Sequence, residues 1–333
     1  MKRRAVLVVL VAVVVSGGAC LARIVSMPGT SWAGAPGLAE PALEQALRAD
    51  VEALAGRIGE RNLVNAPQRL DEAARFVAQR LASLGYAVQE EPFAVEGRTV
   101  RNLIAERRGA SRPSELIVVG AHYDTAPGTP GADDNASGVA VGLALAAQFS
   151  TRTPARTLRF VFFTNEEPPF FNTPDMGSEV NAAAARARGD DVRAMLALET
   201  MGYFVDDADS QHYPWPFSWA YPSTGDFVAF VGDSASRALL HEVITTFREK
   251  TPLASEGAAL PRFVQGADWS DHGPYWRQGY GALMVTDTAP FRNPHYHEAS
   301  DTPERLDYRR LALATSGLVH VVAALAGEGT QAP

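Results

Sequence analysis

The sequence predicts an α/β protein, a three-layer α/β/α sandwich around a mostly parallel mixed sheet. Three observations predict it. Segments with apolar residues at helical spacing alternate with short apolar runs, the pattern of strand–helix–strand units. One run, residues 158–163, is apolar without alternation, as expected of a strand buried on both faces. The acidic and histidine residues gather just after the runs, where open α/β sheets bind ligands beyond the carboxyl ends of their strands.

In chain order, residues 41–59 carry Leu43, Leu47, Val51 and Leu54 at helical spacing, and 67–84 repeat the pattern. Strands are expected at 93–95, 100–105 and 116–121, then a helix of small residues over 136–149 and the buried strand 158–163. Two more strands follow at 195–198 and 227–231, a helix at 234–250, a last central strand at 282–285 and a closing helix over 309–326. No internal repeat interrupts this order.

The N-terminus reads differently. Lys2, Arg3 and Arg4 precede an uncharged apolar run from Ala5 to Ala22, the pattern of a signal peptide or N-terminal membrane anchor over residues 1–26. Cationic residues ahead of the run would keep that end in the cytoplasm and send the rest across. The expectation is an exported protein, anchored with its folded domain outside the cytoplasm, or periplasmic or secreted after cleavage. Residues 27–38, rich in Pro, Gly, Ser and Ala, read as a linker, and 39–333 as a single domain.

Composition narrows the chemistry. Hydrophobic residues make up 46% and charged residues 20% of the 333, which suits a packed globular domain rather than a disordered one. The formal net charge of −8 argues against a nucleic-acid partner, whose phosphates call for a basic surface. The single cysteine, Cys20, excludes a disulfide framework and any cysteine-ligated zinc or iron–sulfur centre. Metal chemistry would have to use carboxylates and the seven histidines.

Several strands end in such residues. The run 116–121 leads into His122 and Asp124, 158–163 into Glu166 and Glu167, and 195–198 into Glu199. With the acidic loop Gly131-Ala132-Asp133-Asp134-Asn135, they converge on one edge of the sheet. A carboxylate has two oxygens and can bridge two cations, while histidine supplies neutral nitrogen. Asp124, two residues past His122 on an extended segment, points the same way and can accept its free ring N–H. Asp133-Asp134-Asn135 also suits the cap of the helix that follows, and the two readings are compatible.

Taken together, His122-Tyr123-Asp124, the loop 131–138, Asn165-Glu166-Glu167, Leu198-Glu199 and 297–302 resemble the co-catalytic zinc exopeptidases of metallopeptidase family 28. Aminopeptidase Y and bacterial leucyl aminopeptidase typify that family, with glutamate carboxypeptidase II and glutaminyl cyclase as more distant relatives. The resemblance implies the zinc-exopeptidase (phosphorylase/hydrolase-like) fold, two Zn2+ per chain with other divalent metals able to substitute, and peptide substrates. By family position, His122 ligates one zinc, Asp134 rather than Asp133 bridges both, and Glu167 with His297 completes the other. Glu199 takes the place of the first zinc's third ligand, commonly an Asp. Glu166 stands where the general base is, and Tyr296 where some relatives donate to the oxyanion. Asp301, four residues past His297, is a candidate support like Asp124.

The implied activity is a metal-dependent aminopeptidase hydrolysing N-terminal residues, with carboxypeptidase action left open. The alternatives are a one-zinc glutaminyl-peptide cyclotransferase and a metal-free binding scaffold of the same fold. Ser270-Asp271-His272 are contiguous and cannot assemble as a catalytic triad. Asp271 and His272 are read instead as pocket-lining, as are Phe170 and Trp215, the latter from an aromatic loop with Phe217, Trp219 and Tyr221. His212, His241, His295 and His320 are read as structural.

Overall fold

The computed structural model describes residue 18 and residues 21–327. Most of the expected signal or anchor segment 1–26, including Cys20, lies outside the described residues.

The helix α1 (Pro41–Val51) starts on a proline, whose missing N–H costs nothing in a first turn, and continues into a wider π turn, Glu52–Ile58. Gly59, at φ 75°, ends that turn in a conformation that favours glycine. In α2 (Pro67–Ser83), Leu70, Ala73, Ala74, Val77 and Leu81 form one buried stripe. Strands β1 (Val88–Val95) and β2 (Arg98–Arg107) join through Glu96 and Gly97. Both turn residues have positive φ, as a tight hairpin requires.

Next come β3 (Arg112–His122), α3 (Gly138–Phe149), β4 (Arg156–Phe163), α4 (Gly177–Arg188) and β5 (Asp191–Glu199). They are followed by β6 (Val228–Asp233), α5 (Arg237–Lys250), β7 (Ser255–Leu260), α6 (His272–Arg277), β8 (Ala282–Thr286) and α7 (Tyr308–Ala326). The eight strands form one sheet in the order β1-β2-β4-β3-β5-β8-β6-β7. The central four, β4-β3-β5-β8, are parallel, and β6–β7 is a parallel pair. Antiparallel pairing at β1–β2, β2–β4 and β6–β8 makes the sheet mixed, as expected.

Each face has its own core. One face buries Leu54, Val77, Leu143, Phe149, Phe230, Phe247 and Leu318 beneath α1, α2, α3, α5 and α7. The other buries Val118, Val161, Phe163, Met195, Tyr275 and Trp276 under α4 and α6. This is the three-layer sandwich. By length and composition α7 could cross a membrane, but it is a core helix with Leu311, Leu318 and Val322 fully buried. Residues 27–38 have no helix or strand, yet they are tied to the domain. Gly37 N–H donates to Pro252 O, Arg248 to the carbonyls of Pro28 and Gly29, and Arg309 to those of Pro36 and Gly37.

Three elements give little periodic signal in the sequence. β7 (Ser-Glu-Gly-Ala-Ala-Leu) has no β-branched residue, α4 is alanine-rich without an apolar stripe, and α6 is a short turn of helix. The topology matters for function. From β3 the chain steps to β4 on one side, then returns past β3 to β5 on the other. The carboxyl ends of β3 and β5 flank that reversal, where α/β sheets place their ligands.

Candidate metal centre

β3 ends on His122 and β5 on Glu199, so pairing of the two strands brings both to one edge. The acidic loop crosses above them. Gly131 enters it at φ 61°, where a Cβ would lie 2.3 Å from Asp134 O, so only glycine fits. Asn135 ties the loop to β5, donating to Leu198 O at 2.8 Å and accepting from Thr200 N–H at 3.2 Å.

The two aspartates of the loop divide the work. Asp133 is turned away, one oxygen accepting from Gly202 N–H (2.9 Å) and the other from Asn293 (2.8 Å). Asp134 faces the centre. Its Oδ1 lies 3.2 Å from His122 Nε2 and its Oδ2 3.1 Å from His297 Nε2. His122 Nε2 is also 3.4 Å from Glu199 Oε2, and His297 Nε2 is 3.1 Å from Glu167 Oε2. Three three-residue groups result: His122–Asp134–Glu199 and Asp134–Glu167–His297, which share Asp134, and His122–Glu166–Glu167. Glu166 joins the same centre with Oε2 3.9 Å from His122 Nε2.

Three supports hold these side chains. Asp124 accepts the backbone N–H groups of both Glu166 (3.1 Å) and Glu167 (3.2 Å), which fixes the acidic pair to the end of β3. Its Oδ1 faces His122 Nδ1 at 3.5 Å. Asp301 supports the acidic loop rather than His297, accepting from the N–H of Asp133 (2.9 Å) and Asp134 (3.2 Å). Ser270 donates to Glu199 Oε2 at 2.7 Å. Backbone strain collects here as well. Asn165, Thr200 and His297 have φ of 57°, 44° and 60°, next to or at the candidate ligands. Such conformations cost about 1–3 kcal/mol each and gather at functional sites.

The electrostatics call for cations. Burial, with Glu199 and the neighbouring carboxylates, drives the Glu166 carboxyl well above its usual range, and burial with Asp134 pushes Glu167 up to about 8. Burial works against a charged His297, yet Asp134 and Glu167 raise it to about 10. Both ring nitrogens of His122, Asp134 Oδ1 and His297 Nε2 are buried without a hydrogen-bond partner. Their spacing fits a metal. A tetrahedral zinc with ligands at about 2.0–2.1 Å has ligand–ligand edges of about 3.3–3.4 Å, close to the separations around Asp134. Beneath the centre Arg61 is fully buried, its guanidinium donating to the carbonyls of Tyr123 (2.7 Å), Pro130 (2.7 Å) and Gly131 (3.0 Å). Burial lowers its pKa to about 10, and Asp124 and Asp301 oppose the loss of its charge. Neither Arg61 nor Ser270 belongs to the residues singled out from sequence. The place of Ser270 directly before Asp271-His272 was the available hint.

A cavity opens beside Glu199 and Tyr296. Tyr213, Phe217, Tyr221, Phe227, Trp269 and Phe291 contribute to its wall. Tyr296 stacks on His297, ring centroids 3.9 Å apart. None of the four residues expected to line a pocket lies on this wall. Asp271 is fully buried at the metal centre with no hydrogen-bond partner on its carboxylate, which burial pushes up to about 7. His272 packs edge-on against Trp276 and bonds Ala267 O through Nε2 at 2.8 Å. Phe170 belongs to the first core, and Trp215, 78% exposed, packs on Trp219 outside. The aromatic loop does face the cavity, but through Tyr213, Phe217 and Tyr221.

The sequence profile of peptidase family M28 matches residues 102–322. The uncharacterized protein YfbL of Escherichia coli is 38% identical over 259 residues, 75% of this chain and 79% of that protein. Among solved structures, the zinc aminopeptidase BSAP of Bacillus subtilis superposes with a TM-score of 0.61 at 14% identity, covering 85% of this chain and 95% of the other. The glutaminyl cyclase of Fimbriiglobus ruber gives a TM-score of 0.62 at 18% identity, covering 86% of this chain and 97% of the other. At such identities the likeness is one of fold.

Proposed function

Because the chain belongs to peptidase family M28, a family of metal-dependent peptidases, we propose that it is an aminopeptidase using two zinc ions, held by His122, Asp134 and Glu199 and by Asp134, Glu167 and His297. One observation carries this reading: the two oxygens of Asp134 face different histidines, each with its own carboxylate partner. When bound, zinc supplies Lewis acidity, polarising a carbonyl and lowering the pKa of a water.

The chain's own residues supply the rest. Glu166 is the base: it takes a proton from the attacking water and passes it to the leaving amine. Asp124 holds its backbone in place by accepting the Glu166 N–H. Burial and the surrounding carboxylates raise the Tyr296 phenol, which keeps its proton available to donate to the oxyanion of the scissile carbonyl.

The test combines zinc content by elemental analysis with turnover of aminoacyl-nitroanilides and of a peptide beginning with Gln. About two zincs per chain with amine release supports this reading. Ring closure of the Gln peptide without hydrolysis would make it a cyclotransferase, and a zinc-free, inactive chain would make it a binding scaffold.

Tyr296→Phe is expected to lower kcat by roughly 10²-fold with KM little changed, because the hydroxyl donates chiefly to the charge that develops in the transition state. Unchanged turnover would leave Tyr296 as packing for His297 alone. We also propose that the domain works outside the cytoplasm, sent there by residues 1–26. Lys2, Arg3 and Arg4 ahead of the apolar run support it. Deleting residues 1–26 should return the protein to the cytoplasmic fraction; an unchanged distribution would refute it.

A further inference from the structure

The cavity beside the metal centre has a floor with a definite order. Across the sheet, Glu199 pairs with Thr286, Thr286 with Ala229, and Ala229 with Glu256. These four residues form one straight row on one face of β5, β8, β6 and β7, and all four line the cavity. With neighbouring strands about 4.8 Å apart, the row spans roughly 14 Å from the candidate ligand Glu199 to Glu256. The next row on that face, Met284, Val231 and Ala258, is apolar. Over β6 and β7 this face is covered by loops, and the aromatic loop is pinned beside the far end by the Tyr221 hydroxyl, which donates to Gly257 O at 2.7 Å.

Among the described residues Glu199 and Glu256 are the only charged ones on the wall, and both are acids. No side chain or backbone N–H among the described residues donates a hydrogen bond to the Glu256 carboxylate. Arg248 makes an ion pair with it, Nη2 standing 3.8 Å from Glu256 Oε2, beyond hydrogen-bond reach. The Arg248 donors go elsewhere, to the carbonyls of Pro28, Gly29 and Ser255 and to the Ser255 hydroxyl. Asp226 adds a second negative charge nearby. The Glu256 carboxylate, partly buried at the end of an aromatic channel, thus has an ion-pair partner on one side and no hydrogen-bond donor among the described residues to replace its lost hydration.

We propose that this cavity takes the side chain of the substrate's first residue and that Glu256 selects a basic one, lysine or arginine. The proposal rests on the aminopeptidase reading, which puts the scissile bond at the Glu199 end. A long unbranched stem runs along the apolar floor, Tyr213, Phe217, Tyr221 and Trp269 wall it, and the ammonium or guanidinium donates to Glu256. Aromatic faces add attraction for the cation. A branched or short apolar side chain fills the near end and leaves Glu256 without a hydrogen-bond donor.

Two measurements on the zinc-loaded full chain test it. The first is kcat/KM for the arginyl-, lysyl- and norleucyl-nitroanilides in the wild type and in Glu256→Gln. The second is calorimetric binding of L-argininamide and L-norleucinamide to the zinc-loaded Glu166→Gln chain, with and without Glu256→Gln, where loss of the base spares the amide bond during the measurement. The expected result is a preference for the basic members, with an arginyl-to-norleucyl ratio that falls about 10–100-fold in the variant, the usual worth of a charged hydrogen bond. Norleucinamide binding as tightly as argininamide, or a ratio unchanged by the substitution, overturns the proposal. Selective argininamide binding that depends on Glu256 without hydrolysis of any nitroanilide keeps the cationic subsite and removes the aminopeptidase reading. Hydrolysis with an apolar preference indifferent to Glu256 does the reverse.

Discussion

Asp134→Asn should empty both metal positions together and abolish measurable turnover. Each carboxylate oxygen of Asp134 faces a different histidine, at 3.2 and 3.1 Å, so one substitution weakens two sites. The amide keeps the shape but loses the negative charge that the two proposed cations would share. Replacing Glu199 or Glu167 would touch one position each, since each belongs to one of the two groups around Asp134. The measurement is zinc per chain after dialysis against a mild chelator. The expected value falls from about two, as the paired site implies, to a small fraction of one. A variant that keeps two tightly held ions would show that Asp134 does not bridge.

Glu166→Gln should have the opposite signature, with zinc content and fold retained and kcat lost. Glu166 stands outside both groups that share Asp134, yet its Oε2 lies 3.9 Å from His122 Nε2, close enough to face a water at the centre. An amide of the same size cannot take that water's proton, so turnover should fall by about 10²–10⁴-fold, the usual contribution of a general base. KM should change far less. The two variants thus separate holding the metal from moving the proton. Near-normal turnover in Glu166→Gln would transfer the base role to another group, and Asp271, buried and unpaired at the same centre, would be the next to test.

How much of this could be read from the chain follows from where each signal lives. The acidic and histidine residues were legible because strand ends are local features: an apolar run stops and His122, Glu166 or Glu199 comes next. Asp134 could be preferred to Asp133 only by resemblance; the structure adds the physical reason, because Gly202 and Asn293 occupy Asp133. Arg61 was invisible. Apart from that of Gly59, the carbonyls it satisfies lie 62, 69 and 70 residues away, and nothing in its own neighbourhood hints at them. The pocket was half legible. An aromatic cluster between prolines announced a cover, but which rings turn inward is decided by tertiary bonds such as that from Tyr221 to Gly257 O. Trp215 therefore faces solvent while Phe217, two residues on, faces the cavity. The floor of that cavity was hidden for a related reason, since β7 is built of small residues that carry no periodic signal.

The two histidines of the centre differ sharply in depth. The His122 side chain is fully covered, whereas that of His297 is 32% exposed on a surface loop. Exchange with the medium should be correspondingly unequal. If two ions bind as proposed, one on the Glu167–His297 side would be the nearer to solvent and one beside His122 the more enclosed. The centre would then load and unload in sequence, the outer position equilibrating with whatever divalent metal is abundant and the inner one keeping its first occupant. Under changing supply such a protein would hold two different metals side by side, and its activity would report the outer one.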